Sequence, residues 1–111
     1  MNAIDPHVFD ELQATAGADF VAELLGTFAE EAPGLLAEMR SAQAAGAAER
    51  FRRAAHSLKS NSSTFGATRL AAMARDLELG GLPADAGGIE RLASEFEATL
   101  AALQVLARPT A

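Results

Sequence analysis

Apolar residues recur every three to four positions along most of this chain, and glycine or proline stands where the rhythm stops. Asp5-Pro6 reads as an N-cap followed by a first-turn proline, with Val8, Phe9 and Leu12 on one side of a short first helix that Gly17 ends. Asp19 is placed to cap a long second helix. There Phe20, Leu24 and Phe28, with Val21 and Leu25, repeat at helical spacing, and Leu35, Leu36 and Met39 resume the stripe. Pro33 falls inside this segment; because the apolar phase continues past it, a kink is expected rather than an end, with Gly46 as the close. A third helix is predicted over 47–65, stopped by Gly66. Leu70, Met73, Ala74 and Leu77 mark a fourth, closed by Gly80-Gly81 ahead of Pro83. Ile89, Leu92, Phe96, Leu100 and Leu103 form the stripe of a last helix, entered at Asp85 or at Gly87-Gly88, and the tail from Arg108 is expected to fray. No strand-like alternation or internal repeat interrupts the pattern. The predicted fold is all-α: an antiparallel up-down four-helix bundle with a short additional N-terminal helix, forming one domain over 1–111. Phe20, Phe28, Phe51, Phe65 and Phe96 are expected in its core.

Composition narrows the class. The chain has 111 residues, half of them hydrophobic, enough for one small core. It has no cysteine, which excludes a disulfide framework, a thiolate metal site and a cysteine nucleophile. No apolar run approaches the roughly 18 residues that cross a bilayer, and MNAIDPH lacks the features of a signal peptide, so a cytoplasmic protein without membrane attachment is expected. Met1 and the short tail fit a free-standing protein slightly better than a domain excised from a hybrid kinase, and a monomer is expected.

The net charge of −6 weighs against nucleic acid as a partner. Its distribution is uneven. Residues 1–45 carry eight acids against Arg40, and residues 60–111 carry six acids against four bases. Between them, residues 46–59 set Arg50, Arg52, Arg53 and Lys59 against the single acid Glu49.

His56 lies inside this basic island, at the head of a stretch of weak helix formers: Ser57, Ser60, Asn61, Ser62, Ser63 and Thr64. With about 100° per residue, Phe51, Ala54, Leu58 and Phe65 fall within about 40° of the side opposite His56, whereas Arg52, Arg53, Lys59, Ser60 and Ser63 lie within about 60° of it. His56 is therefore expected on an open, positively charged strip with small neighbours. A neutral imidazole is a nucleophile, and an anionic adduct on it would find Lys59 one turn away, the arginines nearby and Ser60 as a hydroxyl donor. No glycine-rich phosphate loop is present, so such a phosphoryl group would not be drawn from ATP by this chain. His7, the other histidine, is assigned a structural or solvent role. With no Glu-x-x-His pattern, no metal site is expected. Asn61 and Ser62, between the strip and the core side, are assigned no chemistry.

These residues carry a resemblance. Ala55-His56-Ser57-Leu58-Lys59-Ser60, then Phe65-Gly66-Ala67, Leu70 and Leu77-Glu78 resemble the histidine-containing phosphotransfer (Hpt) domain of phosphorelays, whose pattern is roughly His-x-Leu-Lys-Gly, five variable residues, Gly-Ala and a leucine-led helix ending in Leu-Glu. Phe28-Ala-Glu-Glu-Ala-Pro33 and the last helix extend the similarity over nearly the whole chain. The resemblance implies a bundle displaying a phospho-accepting histidine, here His56, through its Nε2, with Lys59 and Ser60 facing the phosphoryl group. Arg52, Arg53, Ser57 and Ser63 would then help dock the partner. The implied partners are response-regulator receiver domains and a hybrid histidine kinase; the chain has no cofactor of its own, and Mg²⁺ comes with the receiver. Ser60 departs from the usual glycine, leaving most of the room a receiver needs. Two alternatives stand beside this reading: a phosphotransfer-inactive helical module that sequesters a receiver or histidine kinase, and a plain helical adaptor.

Overall fold

A computed structural model describes residues 3–107, and all secondary structure among them is helical. Five helices follow in order: α1 (Pro6–Ala16), α2 (Ala18–Ala45), α3 (Ala48–Thr64), α4 (Thr68–Leu79) and α5 (Gly87–Leu106). The expected fraying from Arg108 lies outside the described residues. No described helix is long and apolar enough to cross a membrane.

The local signals act largely as their chemistry requires. Asp5 caps α1, its carboxylate accepting the His7 backbone N–H at 3.0 Å, and Pro6 opens the first turn. Gly17, with φ 92°, ends α1 and also serves as the N-cap of α2. The capping role expected of Asp19 is thus taken by Gly17, and Asp19 sits in the first turn, where its charge faces the helix N-terminus. The helix α2 runs unbroken through Pro33.

The buried stripe of α2 is Val21, Leu25, Phe28, Ala32, Leu36, Met39 and Ala42, with Leu24 and Leu35 at its margin. Phe20 lies one position off that phase and is 50% exposed, so its expected place in the core is corrected. Phe28 is the hub. Its ring lies 5.3 Å from Phe65 and 5.4 Å from Phe96 between centroids, the latter pair edge-to-face.

The helix α2 packs on α3 and α5, α4 closes the ring against the same two, and α1 lies on α2. Two ion pairs mark the antiparallel directions: Glu38, late in α2, meets Arg50, early in α3, and Arg40 holds the Glu90 carboxylate at the start of α5 through two bonds of 2.7 and 2.9 Å. Short connections leave neighbours little choice but to run antiparallel.

The corner between α3 and α4 is a Schellman turn: Ala67 N–H donates to Ser62 O and Gly66 N–H to Ser63 O, with Gly66 left-handed at φ 73°. The start of α1 is stitched to this corner, with Asp5 N–H donating to Gly66 O at 2.7 Å. A Cβ on Gly66 would stand 2.8 Å from the Asp5 carbonyl oxygen and 2.9 Å from Val8 Cβ. The Gly-Ala pair of the sequence pattern is therefore a packing requirement: no side chain fits at Gly66, and Ala67 is fully buried.

Candidate functional site around His56

Two of the weak helix formers of α3 bond back to their own helix. Ser62, fully buried on the core side, donates to Leu58 O at 2.7 Å, and Thr64 donates to Ser60 O at 3.2 Å. No buried side-chain polar atom among the described residues lacks a partner. Phe51, Ala54, Ala55 and Leu58 anchor the inner side of the helix, leaving His56 on the outer side with its side chain 52% exposed.

The neighbourhood of His56 is not the purely cationic strip expected from α3 alone. Its Nδ1 lies 2.8 Å from Oε2 of Glu78, on α4, and Lys59 Nζ lies 3.6 Å from the other oxygen of the same carboxylate. The Glu78 side chain is only 10% exposed. Its hydrogen bond to His56 holds its carboxyl below the ordinary carboxylate range, and the charges of His56 and Lys59 act in the same direction against the opposing effect of burial. Glu78 is thus ionised at neutral pH. An ionised carboxylate only accepts hydrogen bonds, so Nδ1 carries the hydrogen, and in the neutral ring Nε2 holds the free lone pair.

Glu78 is the residue that reasoning from one helix missed. It was legible in part: Leu70 and Ala74 are fully buried, and an acid four residues further continues their phase toward α3.

The remaining predicted residues divide. Ser57 and Ser60 line, with His56, a groove of about 670 Å³ between α2 and α3, bounded across from them by Glu30, Glu31, Gly34 and Leu35. Asn61, assigned no chemistry from sequence, lines it as well. Ser63 is exposed but lies outside the groove. Arg52 is exposed and paired with Glu49 one turn back, Arg50 is engaged by Glu38 and Lys59 by Glu78, so three of the four cations of the basic island are paired within the protein. Arg53 makes no ion pair among the described residues and borders the continuation of the groove with Ser57. His7 is exposed at the start of α1, remote in sequence and in element from His56. Among the described residues no group of three or more histidine, cysteine, aspartate or glutamate side chains is placed to hold a metal ion.

What this arrangement offers chemically is a half-exposed imidazole of defined tautomer, a lysine poised within a turn of it, and a groove leading to it. Residues 23–104, well over half of the chain, match the family described as the Hpt domain. No curated protein and no solved structure matches the chain.

Proposed function

This chain belongs to the Hpt domain family, whose members serve phosphotransfer in two-component phosphorelays, and from that premise we propose that His56 is the residue that carries the phosphoryl group. The observation that carries the proposal is the His56–Glu78 contact at 2.8 Å, because it selects the nucleophilic nitrogen. The Nε2 lone pair attacks the phosphorus of a receiver's aspartyl phosphate. The N–P bond forms as the P–O bond to the aspartate breaks, and the electron pair leaves with the regenerated carboxylate. Nδ1 keeps its proton throughout, and the positive charge that the ring acquires is met by the Glu78 carboxylate. Glu78 is a positioning residue in this scheme: it sets tautomer and ring orientation without touching the phosphoryl group.

Lys59 has two anionic partners to choose between. In the free domain it rests 3.6 Å from Glu78, and a short rotation of its flexible stem would carry its ammonium to a phosphoryl oxygen on Nε2. Ser60, exposed on the groove, offers a hydroxyl to the same group. The receiver supplies the Mg²⁺ and most of the transition-state stabilisation, and this domain presents the nucleophile. The reaction runs in either direction between receivers.

The test is incorporation of label from receivers charged by a small phosphodonor. The expected product is an acid-labile, alkali-stable phosphoryl group, absent in His56→Gln. Equal labelling of that variant, or no transfer from any receiver that binds, would refute the assignment and leave a sequestering module in its place.

A further inference from the structure

We infer that the groove between α2 and α3 selects its partner by charge polarity, taking a receiver segment that is basic at one end and acidic at the other. This rests on the phosphotransfer reading for the identity of the partner, and the geometry of the groove supplies the rest. The space beside His56 continues past Leu35 and Ser57, which line both it and a second hollow of about 230 Å³ beside Arg53. The two form one trough along the α2–α3 seam.

Its ends differ in charge. At one end Glu30 and Glu31 are exposed and enter no ion pair among the described residues, giving two unneutralised negative charges. At the other, Arg50 and Glu38 neutralise each other and leave Arg53 as one positive charge that enters no ion pair among the described residues. Half-buried Leu35 forms an apolar floor between them. From Glu30 to Glu38 the helix rises about 12 Å, the length of roughly two turns of a docked helix.

The basic island by itself would lead one to expect an acidic partner surface. The folded protein requires something else. The partner places lysine or arginine over Glu30 and Glu31, a small apolar side chain on Leu35 and a carboxylate toward Arg53. That order fixes which way along the seam the segment lies, and so brings the phosphorylated aspartate to His56 rather than past it. Partners with the reverse polarity meet like charges at both ends and are rejected.

The experiment measures binding and transfer separately. Receivers are titrated against the wild type, Glu30→Lys/Glu31→Lys and Arg53→Glu at low and high salt, with phosphoryl transfer followed in parallel and helicity checked by circular dichroism. The double reversal is expected to weaken binding of a wild-type partner by roughly tenfold at low salt, with the loss appearing in KM rather than kcat and shrinking at high salt. Arg53→Glu should weaken it less, in proportion to its single charge. Unchanged affinity in both variants, with transfer to His56 intact, would overturn the groove inference alone. Charge-dependent binding without label on His56 would instead sink the phosphotransfer reading and keep the groove. Self-association of the chain that the same reversals abolish would put a second copy in the trough and overturn the receiver as its occupant.

Discussion

Substituting alanine for Gly66 separates two costs that a glycine can conceal. Gly66 and Gly46 share nearly the same left-handed backbone, φ 73° and 70°. A Cβ at Gly46 would meet nothing within 4 Å, whereas at Gly66 it would meet the Asp5 carbonyl oxygen at 2.8 Å and Val8 Cβ at 2.9 Å. The left-handed conformation costs an alanine roughly 1–2 kcal/mol, and the stiffer unfolded chain returns roughly 0.4–1 kcal/mol, so Gly46→Ala should lose about 1 kcal/mol. Gly66→Ala carries the same loss plus the overpacking, roughly 1–3 kcal/mol, because a backbone oxygen cannot swing aside. The Asp5 N–H bond to Gly66 O also fails when the start of α1 is pushed away, adding roughly 0.5–1.5 kcal/mol. The total is about 3–5 kcal/mol. At about 4 °C per kcal/mol for a domain of this size, the two variants should melt about 4 °C and at least about 12 °C below wild type. Thermal and urea denaturation of the two proteins followed by circular dichroism is the assay. Losses equal within about 0.5 kcal/mol, the usual scatter between independent sites, would refute the claim that α1 is seated on this glycine.

Other substitutions test the core and the site. Phe28→Ala removes the aromatic hub and should cost about 3–5 kcal/mol in urea denaturation, whereas Phe20→Ala, at a half-exposed position, should stay within about 0.5 kcal/mol. Because the folded-state pKa of Glu78 is lowered, its contribution to stability is fully present above the ordinary value of 4.5 and is lost as pH falls through the lowered one. Carbon-13 NMR of the Glu78 carboxyl should show its titration moving up in His56→Ala by more than in Lys59→Ala, since the hydrogen bond to His56 is the larger cause. Lys59→Ala should slow transfer on the order of tenfold or more without loss of helicity in circular dichroism. Ser60→Gly should leave the transfer rate of the same order, and a collapse would show that the hydroxyl has a required role.

The site was half legible before folding. The exposed side of α3 follows from its own periodicity, because Phe51, Ala54 and Leu58 must point inward and His56 is opposite them. What α4 and α2 place against that side does not follow, since a helical wheel describes one helix and says nothing of its neighbours. Glu78, Glu30 and Glu31 were therefore noticed only as parts of the motif, and neither the bond from Glu78 to His56 nor the place of Glu30 and Glu31 on the groove was foreseen. The misplacement of Phe20 has a similar origin. Its phase fits the stripe of Leu24 and Phe28 as well as Val21 and Leu25 do, and only the burial beneath α1, α3 and α5 decides between the two.

Sequence alone determined the number of helices, their boundaries to within a residue or two, and the side on which His56 emerges. These are local consequences of apolar period, proline, glycine and capping chemistry. Tertiary structure decided which nitrogen of His56 is free, how much of the basic island survives as charge, and which acids face the groove. Each of those depends on charges brought within a few ångströms by helices distant in the chain, where a contact such as His56 to Glu78 spans 22 residues of sequence and 2.8 Å of space. Electrostatic interaction falls off with separation in space, and only packing sets that separation.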